Sequence, residues 1–224
     1  MDYSERVPDA VVRRLPGYYR HLRELETAGL MRLSSRALGE RMGLTASQIR
    51  QDINYFGDFG QQGYGYHVPS LRRCIGQILG VDREHRMVIA GAGSIGTAVA
   101  RYPAFQADGF RLVALFDIDE RRIGMTIAGA PVLHIDDMKH FLPGKDIEIL
   151  VLATPPGCAQ QIVDVAAAYG IRAVWNFVPI DLSVQESIEL ANVRLTDSLF
   201  ALSFRLHERE VRAQTNPAWV KESE

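Results

Sequence analysis

Met87-Val88-Ile89-Ala90-Gly91-Ala92-Gly93-Ser94-Ile95-Gly96-Thr97-Ala98-Val99-Ala100 carries the clearest fold signal in the chain. Met87 to Ala90 reads as a short buried strand, Gly91 to Gly96 as G-x-G-x-x-G, and Thr97 to Ala100 as helix. The glycine pattern alone is weak. Between a strand and a helix it has the context of a dinucleotide fingerprint. Gly91, Ala92, Gly93, Ser94, Ile95 and Gly96 are then expected around a pyrophosphate. The glycines let the backbone approach it, and the helix N-terminus supplies N–H donors and a positive dipole end. The alternative is a glycine-rich turn with no ligand.

Working downstream, Leu112 to Phe116 is a second apolar strand that ends in Asp117, 26 residues beyond Gly91. An acid there accepts hydrogen bonds from ribose hydroxyls and disfavours a 2′-phosphate, which selects NAD(H) over NADP(H). Ile147 to Ala153 is a third apolar run, so Thr154 and Pro155 are expected to border the crevice at its end. Gln160 to Tyr169 reads as a helix and Ala173 to Phe177 as a strand. Tyr102 and Pro103 close the first helix early, which makes Tyr102 either core filler or a residue near the cofactor. A last helix, about 197–210, carries Leu199, Leu202 and Leu206 with Phe200 and Phe204 beside them. Such a wide apolar stripe needs a deep groove, on its own sheet or on a second subunit.

Upstream, Val11 to Leu30 has helical periodicity with Pro16 and Gly17 near its start. Ser34-Ser35 caps a helix over 36–42, Gly43 ends it, and Thr45 caps a third helix running to about Phe56. Short helix, tight turn and short helix make a helix-turn-helix, with Gly39 small where the helices cross; a plain helical packing module is the alternative. On the third helix Ile49, Ile53 and Phe56 form the buried stripe. The opposite face carries Ser47, Gln51 and Asn54, flanked by Gln48 and Arg50, with Asp52 off to the side. These side chains suit base edges and phosphates in a major groove. Residues 56–68 interleave glycines and aromatics as a hairpin does, and a hairpin after a recognition helix is a wing with Gln61-Gln62 at its tip. Leu71 to Leu79 is read as a helix with Arg72 and Arg73 at its start, facing phosphates, and 80–86 as a linker.

The 224 residues suit one small and one medium domain, with boundaries expected at 1–82, 83–194 and 195–224. With 47% apolar and 23% charged residues the composition is that of an ordinary globular protein. The N-terminus lacks an apolar signal core and no run is long enough to span a membrane, so a cytoplasmic protein is expected. Cys74 and Cys158 suggest neither a zinc site nor a disulfide framework. Residues 1–86 hold 13 Arg, no Lys and ten acids, a net of +3, while 87–224 are net −5. A basic front suits an anionic partner, but on charge alone ordinary fluctuation is the favoured reading.

Three functions compete. An NAD-dependent oxidoreductase lacks a substrate domain and evident acid–base residues: there are three lysines, Lys139, Lys145 and Lys221, and His134 reads as a surface residue. A purely structural nucleotide domain leaves the first part unexplained. A ligand-gated DNA-binding protein uses both parts.

The chain resembles the Rex family of redox-sensing transcriptional repressors. The likeness rests on Ser47-Gln48-Ile49-Arg50-Gln51-Asp52, Tyr55-Phe56-Gly57, Gly63-Tyr64-Gly65-Tyr66, Ile78-Leu79-Gly80, the 91–96 fingerprint, Tyr102-Pro103, Phe116-Asp117, Asn176-Phe177 and Leu202-Ser203-Phe204. It implies an α/β protein with an N-terminal winged helix-turn-helix, a Rossmann-like domain and a domain-swapped C-terminal helix. It also implies a homodimer on double-stranded palindromic operator DNA when NAD+-bound or apo, released by NADH, with no catalysis and no metal. Ser47, Gln48, Arg50, Gln51, Asn54, Gln62, Arg72 and Arg73 would then contact DNA. NADH is expected to close the dimer and move its two recognition helices out of register with successive major grooves. Three departures stand out. Gln51 replaces a common lysine, which suits adenine rather than guanine at one operator position; Gln61-Gln62 replaces basic wing residues; Arg194 stands where an acid is expected to pair with Tyr102, leaving that contact and Arg20 as its partner open.

Overall fold

The computed structural model describes residues 7–57, 59–61 and 65–215. They form two compact units that divide between Glu84 and His85.

The first unit runs α1 (Asp9–Val12), α2 (Leu15–Thr27), β1 (Arg32–Leu33), α3 (Ser35–Met42), α4 (Ala46–Asn54), β2 (Gly60–Gln61), β3 (Gly65–His67) and α5 (Val68–Leu79). The single helix expected over 11–30 is broken at Arg13-Arg14, because Pro16 can enter a helix only in its first turn and so restarts one. Ser34 Oγ accepts from the Ala37 N–H at 3.1 Å and Thr45 Oγ1 from the Gln48 N–H at 3.1 Å, so both helices start where their caps predict. A Cβ on Gly39 would lie 2.5 Å from the Leu44 carbonyl oxygen, so only glycine lets the turn return this closely. Leu38, Ile49, Ile53, Tyr18, Leu22 and Leu71 close one core. Each such side chain stabilises the unit by about 1.5–3 kcal/mol.

The strands form an antiparallel sheet in the order β1-β3-β2, with Gly60 opposite Tyr66 and Arg32 opposite His67. This is the expected wing. Gln62, assigned to its tip, lies outside the described residues. Helix α5 starts three residues earlier than expected, because His67 caps it and Pro69 fits its first turn. Arg72 and Arg73 therefore sit in its second turn rather than at its start.

The second unit runs β4 (His85–Ala90), α6 (Ser94–Ala100), α7 (Ala104–Ala107), β5 (Phe110–Asp117), β6 (Thr126–Ile127), β7 (Ala130–His134), a 3-10 turn (Ile135–Asp137), α8 (Met138–Phe141), β8 (Ile149–Leu152), α9 (Pro156–Ala168), β9 (Ala173–Asn176), β10 (Glu189–Asn192) and α10 (Leu195–Thr215). The seven strands stand in the order β10-β9-β8-β4-β5-β7-β6, parallel except for the β6–β7 pair. One core gathers Val88, Phe116, Leu150 and Val163; another gathers Ile89, Leu115, Val132 and Val151. Alternate residues of single strands appear in both, so the sheet is covered on both faces, which is why its central strands read as continuous apolar runs. The chain winds from β4 outward through β5 to β7, then returns to β8 on the other side of β4. That reversal opens a crevice at the strands' C-terminal ends, between β4 and β8. The register of Ala90 with Leu152 brings Gly91 beside Ala153 and Thr154.

Candidate functional site

The exposed surface of α4 carries Ser47, Arg50, Gln51 and Asn54, while Gln48 is half-buried at its edge. Arg50 Nη1 donates to Ser35 Oγ at 3.0 Å, tying α4 to the first turn of α3.

Asp52, expected off to the side, is instead 1% exposed. Arg14 grips it with two bonds, Nε to Oδ2 at 2.7 Å and Nη2 to Oδ1 at 2.8 Å. The Tyr18 hydroxyl donates to Oδ2 at 2.8 Å and Gln48 Nε2 to Oδ1 at 2.9 Å. Burial alone would raise the Asp52 carboxyl, but the hydrogen bonds from Arg14, Gln48 and Tyr18 together outweigh it and hold the group below its ordinary value. Burial, reinforced by Asp52, pushes the Tyr18 phenol well above its ordinary range, so it stays a donor. The sequence offered one partial signal for this network, an acid one helical turn beyond Gln48. Arg14 lies 38 residues away from Asp52 and was not legible.

The two arginines of α5 differ. Arg72 forms an ion pair with Glu26, donates to the Tyr19 hydroxyl at 3.4 Å and packs over the Tyr19 ring. Its guanidinium thus braces α5 against α2. Arg73 is exposed.

In the second unit Gly91, Gly93, Asp117, Thr154 and Pro155 line one cavity of about 280 Å³, together with Ile118, Asp119, Arg122, Ile135 and Cys158. Gly91 has φ +96°, and a Cβ there would strike the Ala153 carbonyl. A Cβ on Gly96 would overlap the Gly91 carbonyl oxygen, whereas one on Gly93 would meet nothing within 4 Å. Gly91 and Gly96 are therefore required by the protein's own packing, and Gly93 leaves open space on the crevice side. Thr154 Oγ1 is buried without a hydrogen-bond partner among the described residues. An open glycine cradle and an orphaned buried hydroxyl fit a phosphate-bearing ligand. Ala92 and Gly96 are buried behind the loop, and Ser94 and Ile95 are exposed in the first turn of α6.

Asp117 is turned into the loops it joins. Oδ2 accepts from the Ala92 N–H at 2.6 Å, and Oδ1 from the Ile118 and Asp119 N–H groups at 2.7 and 2.9 Å. A carboxylate offers about four acceptor sites, so roughly one is left for a sugar hydroxyl. Arg122, not singled out from the sequence, bonds the Ala92 carbonyl and donates to Asp119 Oδ2 at 3.2 Å. Arg121, and more weakly Arg122, hold the Asp119 carboxyl well below the usual carboxylate range.

Tyr102 lies apart from this cavity. It follows the C-terminal end of α6, about 10 Å from the glycines for a seven-residue helix, and packs on Phe105 with ring centroids 4.9 Å apart. It lines a separate concavity with Arg101, Pro103, Phe110 and Ala128. Arg194 donates to the Val178 and Ile180 carbonyls at 3.2 and 3.1 Å and to Asp181 at 2.8 Å, so its side chain is taken up by that loop.

A winged helix with a polar recognition face and a Rossmann-like sheet with a glycine-lined crevice define a DNA-binding regulator governed by a nucleotide. Residues 6–54 match the family "Putative DNA-binding protein N-terminus" and residues 82–180 match "CoA binding domain". The redox-sensing transcriptional repressor Rex of Thermoanaerobacter pseudethanolicus is 46% identical over 211 residues, 94% of each chain. The structure of RSP in complex with β-NAD+ and operator DNA is 46% identical with a TM-score of 0.85, over 93% of this chain and 96% of that one. That of RSP with β-NADH is 43% identical with a TM-score of 0.84, over 94% and 99%. The chain belongs to the Rex family of redox-sensing transcriptional repressors.

Proposed function

We propose that this protein represses transcription by binding a palindromic operator when apo or NAD+-bound and is released from it by NADH. The observation that carries this reading is the likeness, along both units, to a repressor holding NAD+ and operator DNA at once. Ser47, Gln48, Arg50, Gln51 and Asn54 face the DNA, with Arg73 on a phosphate. Gly91 to Gly96 cradle the pyrophosphate, Thr154 and Pro155 border it, and Asp117 takes one ribose hydroxyl and repels a 2′-phosphate. NADH carries one hydride more than NAD+, which removes the nicotinamide's charge and planarity. A ligand shifts a conformational equilibrium only by its differential affinity for the two states, so the nicotinamide end does the discriminating. The reading places the protein in the cytoplasm and gives it no catalytic role. Among the described residues no helix is long and apolar enough to cross a membrane, and no group of metal ligands occurs.

Fluorescence anisotropy on a labelled two-half-site duplex at fixed salt tests this reading. Release by NADH and not by NAD+ is the expected result. DNA binding insensitive to both would reduce the second unit to a scaffold. Nucleotide binding without DNA binding would favour an oxidoreductase.

The same reading makes the protein a homodimer through α10. Leu195, Leu199, Leu202 and Leu206 form a seam at heptad-like spacing, with Phe200 and Phe204 beside it, and all are exposed by half or more. An apolar face this long on one helix is the mark of an interface. Leu199→Glu combined with Leu206→Glu is expected to give a monomer by sedimentation velocity and to weaken operator binding. An unchanged dimer would remove α10 from the interface.

A further inference from the structure

We propose that Gln48 reads a hydrogen-bond donor on a base edge, adenine N6 or cytosine N4, and that Asp52 sets this choice by fixing which way the Gln48 amide faces. The inference rests on the reading of α4 as the recognition helix. A free glutamine side chain presents its oxygen or its nitrogen with equal ease. Here it has no such freedom. Asp52 is held ionised and can only accept. Its other partners, Arg14 and Tyr18, are both donors, so they supply nothing that could turn the arrangement round. The Gln48 amide must therefore turn its N–H edge inward, where Nε2 lies 2.9 Å from Asp52 Oδ1. The carbonyl oxygen is left to face away from the carboxylate, and Oε1 has no partner among the described residues. Gln48, Gln51 and Asn54 line one side of an open cavity of about 480 Å³ whose other side is formed by Val11 and Arg14, so there is room for Oε1 to meet a ligand. In the major groove the donors are adenine N6 and cytosine N4, while guanine and thymine offer O6, N7 and O4 acceptors.

Asp52 is thus a positioning residue whose effect is read in base preference. Asp52→Asn makes the point sharply. Arg14 Nε and the Tyr18 hydroxyl would hold the new amide's oxygen at the Oδ2 position, its nitrogen would replace Oδ1 beside Gln48 with loss of the Arg14 Nη2 bond, and the Gln48 amide would have to reverse and present N–H outward. The preferred base would change from a donor to an acceptor.

The experiment measures anisotropy for the full-length wild type, Gln48→Met and Asp52→Asn on duplexes in which each half-site position carries each of the four bases in turn. Wild type is expected to prefer adenine or cytosine at one symmetric position by roughly five- to tenfold per half-site. The adenine and cytosine duplexes distinguish the two donors. Gln48→Met should lose that preference and keep the others, and Asp52→Asn should move it to guanine or thymine. Persistence of the same preference in Gln48→Met, or a wild-type preference for an acceptor at the position Gln48→Met erases, overturns the proposal. If Asp52→Asn fails to fold by circular dichroism, Gln48→Met decides alone. A wild type that does not separate any half-site duplex from a scrambled one instead overturns the DNA-binding reading itself.

Discussion

Gly93→Ala is expected to fold as well as the wild type and to lose NADH, whereas Gly96→Ala is expected not to fold normally at all. Gly93 has φ −70°, which alanine adopts without strain, and a Cβ there meets nothing within 4 Å. Reduced unfolded-chain entropy even favours the alanine variant by about 0.4–1 kcal/mol. The new methyl occupies the space a pyrophosphate needs to reach the loop N–H groups. Losing one or two charge-assisted bonds of about 1.5–3 kcal/mol each weakens NADH by roughly a hundredfold. DNA binding persists, because the winged helix is a separate unit with its own core, so the variant is a repressor that no longer responds to NADH. Gly96 is different. Its Cβ would collide with the Gly91 carbonyl and press on Ile89 in the sheet's core, so α6 must move off β4. Thermal melting together with an NADH titration separates the two variants. A Gly93→Ala protein that still bound NADH normally would show that the open space at Gly93 is not where the ligand lies.

Arg14→Ala should cost the first unit about 3–5 kcal/mol, because it leaves a carboxylate buried without its counter-charge. Tyr18 and Gln48 remain as donors but carry no charge. The pH dependence should also change sign. In the wild type the Asp52 carboxyl sits below its unfolded value of about 3.9, so its stabilisation is present above that pH and is lost as pH falls through the folded value. Without Arg14, burial becomes the dominant influence and raises the carboxyl above its unfolded value. The variant is then penalised at neutral pH and recovers as the solution is acidified and the group takes up a proton. Urea unfolding between pH 4 and pH 8 checks this. A variant with wild-type stability, or with an unchanged slope, would show that the Arg14 pair is structurally idle.

The two predictions sit at opposite ends of what was legible in the chain. The glycine loop announced itself because its chemistry is local: strand, turn and helix lie within fourteen residues, and each glycine answers to a neighbour a few positions away. The helix-turn-helix was readable for the same reason, since Ser34 and Thr45 cap helices that begin immediately after them. The break at Arg13-Arg14 and the early start of α5 do not follow from apolar periodicity, because Pro16 and His67 start helices there. The Arg72 ion pair was not legible because its partner Glu26 is 46 residues away, and an arginine's exposure does not follow from its own neighbours.

The order of residues alone is enough to read the class of each unit, the polar outer face of α4 and the location of the crevice. Periodicity, capping and glycine spacing act over a few residues, and their energetics are the same wherever the segment lies. The assembled fold alone shows that Asp52 is a buried anchor, that Asp117 has about one acceptor site left, that Arg122 closes the loop and that Tyr102 stands apart from the glycines. Each of those depends on which distant groups meet in a medium of low dielectric. There a hydrogen bond or a charge pair is strong enough to choose a side chain's orientation and protonation.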